Sequence, residues 1–264
     1  EDSHGRAIWA LGTAAGCSLH SGSQAASAQL FVQALPAVTE FTSPRAWAFS
    51  LIGIHEYLRQ MKGDRQAKRV RKELTQRLVA IFDKVAQPGW TWFEQSLTYD
   101  NAKLAHALIV SGRATRQASV YERGIQALRW LVGVQTSRHG QLQPIGSNGF
   151  YKRNGARAQF DQQPIEAQTT VSACLEAFRA TADPWWHRQA QSAFDWFLGS
   201  NDLGLELYAR QNGGCRDGLH PDRSNENQGA ESTLAFLLSL AEMRLTQSTA
   251  ASVARAPLAA SMTQ

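Results

Sequence analysis

Apolar residues recur at helical spacing along almost the whole chain, in two alternating kinds of segment. One kind is rich in small residues and apolar round most of its circumference: Gly5 to Gly16, Pro44 to Tyr57, Asn101 to Val110, Pro164 to Phe178 and Gly229 to Leu240. The other carries a polar or charged stripe: Gln24 to Val38, Asp64 to Val85, Arg116 to Gln135 and Pro184 to Leu198. A helix that is apolar all round belongs inside, and one with a polar stripe belongs outside. The alternation therefore predicts a repeat of α-hairpins, with inner helices packed about an axis and outer helices behind them. Ser43-Pro44, Gln163-Pro164 and Asp183-Pro184 are cap and first-turn pairs, and Pro88-Gly89 breaks the chain between elements.

Two stretches depart from this pattern. Between Arg138 and Gln159, glycines and Pro144 punctuate the apolar residues, which predicts an irregular loop or a short β-hairpin. The stretch from Gly199 to Asn225 is polar and glycine-rich, and a loop of that length is usually functional. A last helix is expected from Glu226 to about Thr246. The resulting expectation is an all-α domain over residues 1–246, followed by a mobile tail over 247–264.

The returns at the far ends of the inner helices, such as Gly63-Asp64 and Thr181-Ala182-Asp183, are short and plain, whereas every inner helix starts after a motif-rich segment. Those segments hold Asp2, His4 and Arg6; Ser43 and Arg45; Trp90, Trp92, Glu94, Tyr99, Asp100 and Asn101; Asp161, Gln162, Gln163 and Glu166; and Arg216, His220, Asp222, Asn225 and Glu226. They gather at one end of the helix array. Carboxylates, amides, arginines and rings in that mixture suit a sugar, whose hydroxyls need donors and acceptors and whose C–H faces stack on aromatic rings. Phosphate is poorly served, because no glycine-rich loop with a lysine is present.

Composition narrows the classes further. The 264 residues, 43% of them hydrophobic, suit a globular protein, and no stretch approaches a membrane span. Cys17, Cys174 and Cys215 have neither paired metal-ligand spacing nor a disulfide framework, which points to a reducing cytoplasm and to no metal or other cofactor. Part of the formal charge of +5 lies on Lys68, Arg69, Arg71, Lys72 and Arg77. No aromatic residues interleave with these cations, so they read as a solvated helix face and not as a nucleic-acid surface.

Four motifs together resemble a known family. Glu1-Asp2-Ser3-His4-Gly5-Arg6-Ala7, Trp92-Phe93-Glu94 with Asp100-Asn101, Phe160-Asp161-Gln162-Gln163-Pro164, and Asn225-Glu226-Asn227-Gln228-Gly229-Ala230 are similar to the six-hairpin (α/α) toroid glycosidase-like domains. Within these the likeness is to a bacterial group found beside or fused to glycosyltransferases, and it covers roughly residues 1 to 245. The resemblance implies a carbohydrate-active toroid with its cleft at the N-terminal ends of the inner helices, a saccharide ligand, and a glycosyltransferase as partner or fused domain. Five inner helices are recognisable where the family pattern has six, and the sixth is expected upstream of Glu1.

Glycoside hydrolysis needs two carboxyl groups, about 5 to 5.5 Å apart for retention and about 6.5 to 9.5 Å apart for inversion. Asp161 and Glu94 sit where no helix cap is required and are candidates for the general acid, with Glu226 as the base and inversion as the expected outcome. Asp2, Asp100 and Glu226 have alternative roles at helix starts, and Glu166 falls in the first turn behind Pro164. The substrate-binding set is Asp2, His4, Arg6, Trp92, Tyr99, Asp100, Asn101, Gln162, Gln163, Glu166, Arg216, His220 and Asn225. Two other functions compete with hydrolysis. A glycan-binding or scaffolding module would tie its carboxylates to Arg6, Arg45 and Arg216, and a sugar epimerase would need facing bases, commonly histidines.

Overall fold

The computed structural model describes the backbone of residues 1–259 and the side chains of residues 1–246. They form two compact units, one of Glu1–Val134 with Lys152–Asn154, the other of Gln135–Tyr151 and Gly155 onward. The tail expected over 247–264 lies outside the residues whose side chains are described.

The first unit consists of α1 (Asp2–Cys17), α2 (Ser21–Ala34), α3 (Pro44–Gln60), α4 (Arg65–Val85), α5 (Ala102–Thr115) and α6 (Ala118–Val134). Helices α1, α3 and α5 pack on one another, while α2, α4 and α6 pack behind them, so the inner and outer roles are those expected from the apolar pattern. Pro44 opens α3 behind Ser43, whose Oγ accepts from the Ala46 N–H. Asp64 caps α4 by accepting from the Ala67 N–H at 2.9 Å. Helices α1 and α3 approach closely at glycines. A methyl added at Gly12 would fall against the Gly53 carbonyl, and one at Gly5 would stand 2.9 Å from the Ala46 oxygen.

The second unit holds α7 (Pro164–Thr181), α8 (Pro184–Asp195) and α9 (Ala230–Ala259). Inner helix α7 is buried from Pro164 to Ala177, and amphipathic α8 covers it with Trp186, Ala190, Ala193 and Phe194. Helix α9 packs on α7 and turns Leu234, Leu237, Leu238 and Leu245 outward.

Several boundaries differ from expectation. Helix α1 already includes Asp2, ahead of the expected Gly5, and the Glu1 carboxylate beside it accepts from the Thr42 and Ser43 N–H groups at 2.8 and 2.6 Å. The second segment divides into α2 and a 3-10 turn over Leu35–Glu40, where Pro36 interrupts the helical ladder. The last helix starts at Ala230 and not at Glu226, since Ser224 and Asn225 pair in a strand. The loop from Gly199 contains two short antiparallel hairpins, pairing Tyr208–Ala209 with Gly214–Cys215 and Gly218–Leu219 with Ser224–Asn225.

Candidate functional site

In the first unit the predicted site residues are tied to one another. Buried Arg45 donates to Glu94 at 2.8 Å, to Thr98 Oγ1 at 2.6 Å and to the Tyr99 carbonyl at 2.6 Å, and its guanidinium lies 5.0 Å from the Tyr99 ring centroid. Arg6 donates to Asp100 at 3.0 Å and stacks on Phe49. Asp100 is fully buried at a left-handed φ of 52°, and the Asn101 side chain turns back on Thr98. Asp2 accepts from the Ser43 hydroxyl. His4 donates from Nε2 to the Ala34 carbonyl at 2.9 Å, with its ring edge-on to Phe41.

Trp92, Asp100 and Asn101, expected to bind substrate, have no exposed surface and pack within the starts of the inner helices. Trp92 packs between Phe93 and Trp130, because a ring beside a helix start is covered by the neighbouring outer helix.

In the second unit the chain builds a different arrangement. Gln162 and Leu219 exchange both backbone hydrogen bonds, each 3.0 Å, as an antiparallel bridge. Their neighbours Asp161 and His220 are thereby set opposite each other. The approach requires Gly218, at φ 138°, where a methyl would strike the Gln162 carbonyl. His220 Nδ1 lies 2.6 Å from Asp161 Oδ1, and the side chains are 29% and 37% exposed. Nothing among the described residues bonds to the other ring nitrogen, Nε2, or to Asp161 Oδ2. The hairpin of Gly218–Leu219 with Ser224–Asn225 holds His220 from behind, its N–H donating to the Arg223 carbonyl.

Gln162 is buried and fully engaged, donating to Asp202 at 2.6 Å and to the Gln159 carbonyl while accepting from the Trp196 indole at 2.9 Å. Its expected ligand contact is replaced by a role in fixing the bridge. Glu166 is likewise buried in the first turn of α7, whereas Gln163 is exposed at the cap position without a capping bond. Sequence reasoning missed Asp202, which Gln143 also grips through both oxygens. A loop aspartate without a motif gives no signal of that role.

Glu226 is 71% exposed and accepts from Ser224 Oγ at 2.6 Å and Arg216 Nε at 2.9 Å. Those two bonds lower its pKa from the ordinary carboxylate value. The helix start expected at Glu226 plays no part, since α9 begins four residues later. Asn225 accepts from the Asn227 N–H in a local turn. Burial raises the pKa of Asp217, but hydrogen bonds from Ser232, the Gly229 N–H and Asn227 outweigh it and leave the value lowered. No group of three or more His, Cys, Asp or Glu side chains able to hold a metal lies among the described residues, and none of their helices is long and apolar enough to cross a membrane.

No family model matches the chain, and no curated protein matches it in sequence. Solved structures do resemble it. A GH76 α-mannanase of Bacteroides thetaiotaomicron superposes with a TM-score of 0.66 at 13% identity, over 92% of this chain and 69% of its own. A D-mannose isomerase superposes with a TM-score of 0.65 at 13% identity, over 93% and 70%. An unsaturated glucuronyl hydrolase specific for heparin gives 0.55 at 16% identity, over 74% of this chain, which spans only 56% of the hydrolase's length. The fold is the all-α, (α/α) toroid glycosidase class. These neighbours act on carbohydrates, by hydrolysis or by isomerisation.

Proposed function

We propose that the chain is a carbohydrate-active enzyme in which His220 moves a proton on a neutral sugar and Asp161 orients it. The observation that carries this reading is the 2.6 Å pair of Asp161 with His220 Nδ1. A carboxylate accepting from Nδ1–H fixes the tautomer and leaves the Nε2 lone pair to accept a proton. Asp161 is then a positioning residue and not the free acid that hydrolysis requires. With an open-chain reducing aldose, Nε2 takes the proton from C2, the C2 hydroxyl proton passes to the carbonyl oxygen as the enediol forms and collapses, and the imidazolium returns its proton to C1. Aldose becomes ketose with no oxidant or reductant, which is isomerase chemistry; return of the proton to the other face of C2 would instead be epimerisation.

Hydrolysis is the second reading, and the lowered pKa of Glu226 favours it, because a base that activates water must be ionised. The motif resemblance supports a bacterial origin and a glycosyltransferase as partner or fused domain, and the unpaired cysteines support a reducing cytoplasm. Proton NMR of the protein in D2O with D-mannose, mannobiose and cellobiose separates these outcomes. The expected result is loss of the sugar C2–H signal together with a ketose product, and His220→Ala should slow it by about 10²–10⁴-fold. New reducing ends without exchange would replace this reading with hydrolysis. Saturable binding without either reaction would replace it with a glycan-binding module, a function that the Arg6, Arg45 and Arg216 pairs suit.

A further inference from the structure

The outer face of the first unit carries a second feature suited to a sugar. Thr91, Gln126, Arg129 and Trp130 line an open depression of about 370 Å³. Gln126 and Trp130 stand one turn apart on the same side of α6, with Arg129 beside them. Trp130 lies at the edge of the stripe formed by Ala127, Leu128 and Leu131, which α6 buries. Its ring is half-buried and fixed on three sides. It stacks on Trp92 with centroids 5.9 Å apart, meets Trp90 edge-to-face at 5.0 Å, and donates from Nε1 to the Gly89 carbonyl at 3.3 Å. Gln126 and Arg129 are exposed.

We infer that this depression is a secondary saccharide-binding subsite that takes a neutral pyranose unit of an oligosaccharide. A sugar ring offers one apolar C–H face and a rim of hydroxyls. The held indole supplies a flat surface for the face, and it loses little conformational freedom on binding because its rotamer is already locked. The Gln126 amide, the Arg129 guanidinium and the Thr91 hydroxyl supply donors and acceptors to the rim. The volume falls within the range of small-ligand pockets, roughly 300–1,000 Å³. Trp90 and Trp92 hold the ring from behind.

The sugar class rests on the carbohydrate reading of the fold, but the subsite shares no residue with the His220–Asp161 pair. The test is titration of the full chain with mannotriose and with cellotriose, following the Trp130 indole N–H resonance. A saturable shift of that resonance is expected with at least one sugar. Gln126→Ala combined with Arg129→Ala, both at exposed positions, should weaken the shift about tenfold, and His220→Ala should leave it unchanged. Trp130→Phe, which lacks that resonance and is followed by calorimetry, should retain part of the affinity. A resonance that does not move, or one that moves equally in the double variant, overturns the subsite. Deuterium exchange into the sugar, measured in parallel, reports on His220 independently, so the failure of one proposal is distinguishable from failure of the other.

Discussion

Replacing Arg45 by alanine removes the one side chain that gathers the Glu94-to-Asn101 segment onto α3. Three of its hydrogen bonds are 2.8 Å or shorter, to Glu94, Thr98 and Tyr99, and a fourth, to Asn101 Oδ1, is 3.4 Å. Hydrogen bonds to a charged group contribute roughly 1.5–3 kcal/mol each. Glu94 is 28% exposed, so water recovers part of its loss, and Arg45 sits in the first turn of α3, where a cation costs about 0.3–1 kcal/mol. The net destabilisation expected is about 3–5 kcal/mol, in the range for breaking a buried pair. At about 2–4 °C per kcal/mol, thermal denaturation followed by circular dichroism should show a fall of roughly 6–20 °C. Arg59→Ala is the matched control, since the Arg59 side chain is 56% exposed in its pair with Glu56 and should cost under about 1 kcal/mol. If Arg45→Ala is no more harmful than Arg59→Ala, the assigned role of Arg45 is wrong.

Gly12→Ala should destabilise by about 1–3 kcal/mol despite the better helix propensity of alanine, because the methyl meets the Gly53 backbone. Gly133→Ala, at an exposed position of α6 with nothing within 4 Å, should stabilise by about 0.5–1 kcal/mol, both changes being read from urea denaturation midpoints. Native protein treated with iodoacetamide at pH 8 should be alkylated only at Cys17, and slowly. Burial and the Glu56 carboxylate raise the Cys17 pKa, while burial pushes the Cys215 thiol up to about 12 and Cys174 further still. Mass spectrometry finding rapid labelling of Cys174 or Cys215 would contradict their burial. Because the folded-state pKa of Asp217 is depressed, its stabilisation is complete above the unfolded carboxylate value near 4 and is lost as pH falls through the folded one. Asp217→Asn should therefore be destabilising at pH 7 and converge with the parent protein in strong acid, as read from denaturation midpoints across pH.

The helix alternation was legible because each inner helix is buried on nearly all sides and is built from apolar or small residues, as Ala46 to Ile54 are apart from Ser50. Ile165 to Ala177 is buried residue by residue although Glu166, Gln168 and Glu176 lie within it. The starts of α3 and α8 were legible for the same local reason, a cap followed by proline. The partners of the motif residues were not. Arg216 and Glu226 are ten residues apart, Asp161 and His220 fifty-nine, and Arg6 and Asp100 ninety-four, so only the folded chain decides which carboxylate meets an arginine and which meets an imidazole. Trp92 shows the opposite limit. Its setting among site-like residues suggested a stacking platform, yet its side chain is buried, whereas Trp130, an unremarked residue of an amphipathic helix, is only half-buried.

The backbone contact of Gly12 with Gly53 also constrains how such a chain can diverge. A helix advances about 100° per residue, so a single insertion early in α1 would rotate Gly12 away and set Leu11 against the Gly53 carbonyl. Length changes inside α1 or α3 are thereby closed to neutral drift, and substitution at either glycine needs a compensating shift in the other helix. The segments after Val134 and after Asp195 are pinned in the same way at two points, Gly146 against Phe160 and Gly218 against Gln162, but between those points the chain runs through exposed turns that can change length without moving either contact. New ligand preferences in descendants of this chain should therefore arise by insertion in the exposed turn at Pro221 and Asp222, with the Gln162–Leu219 bridge and the first helix pair inherited unaltered.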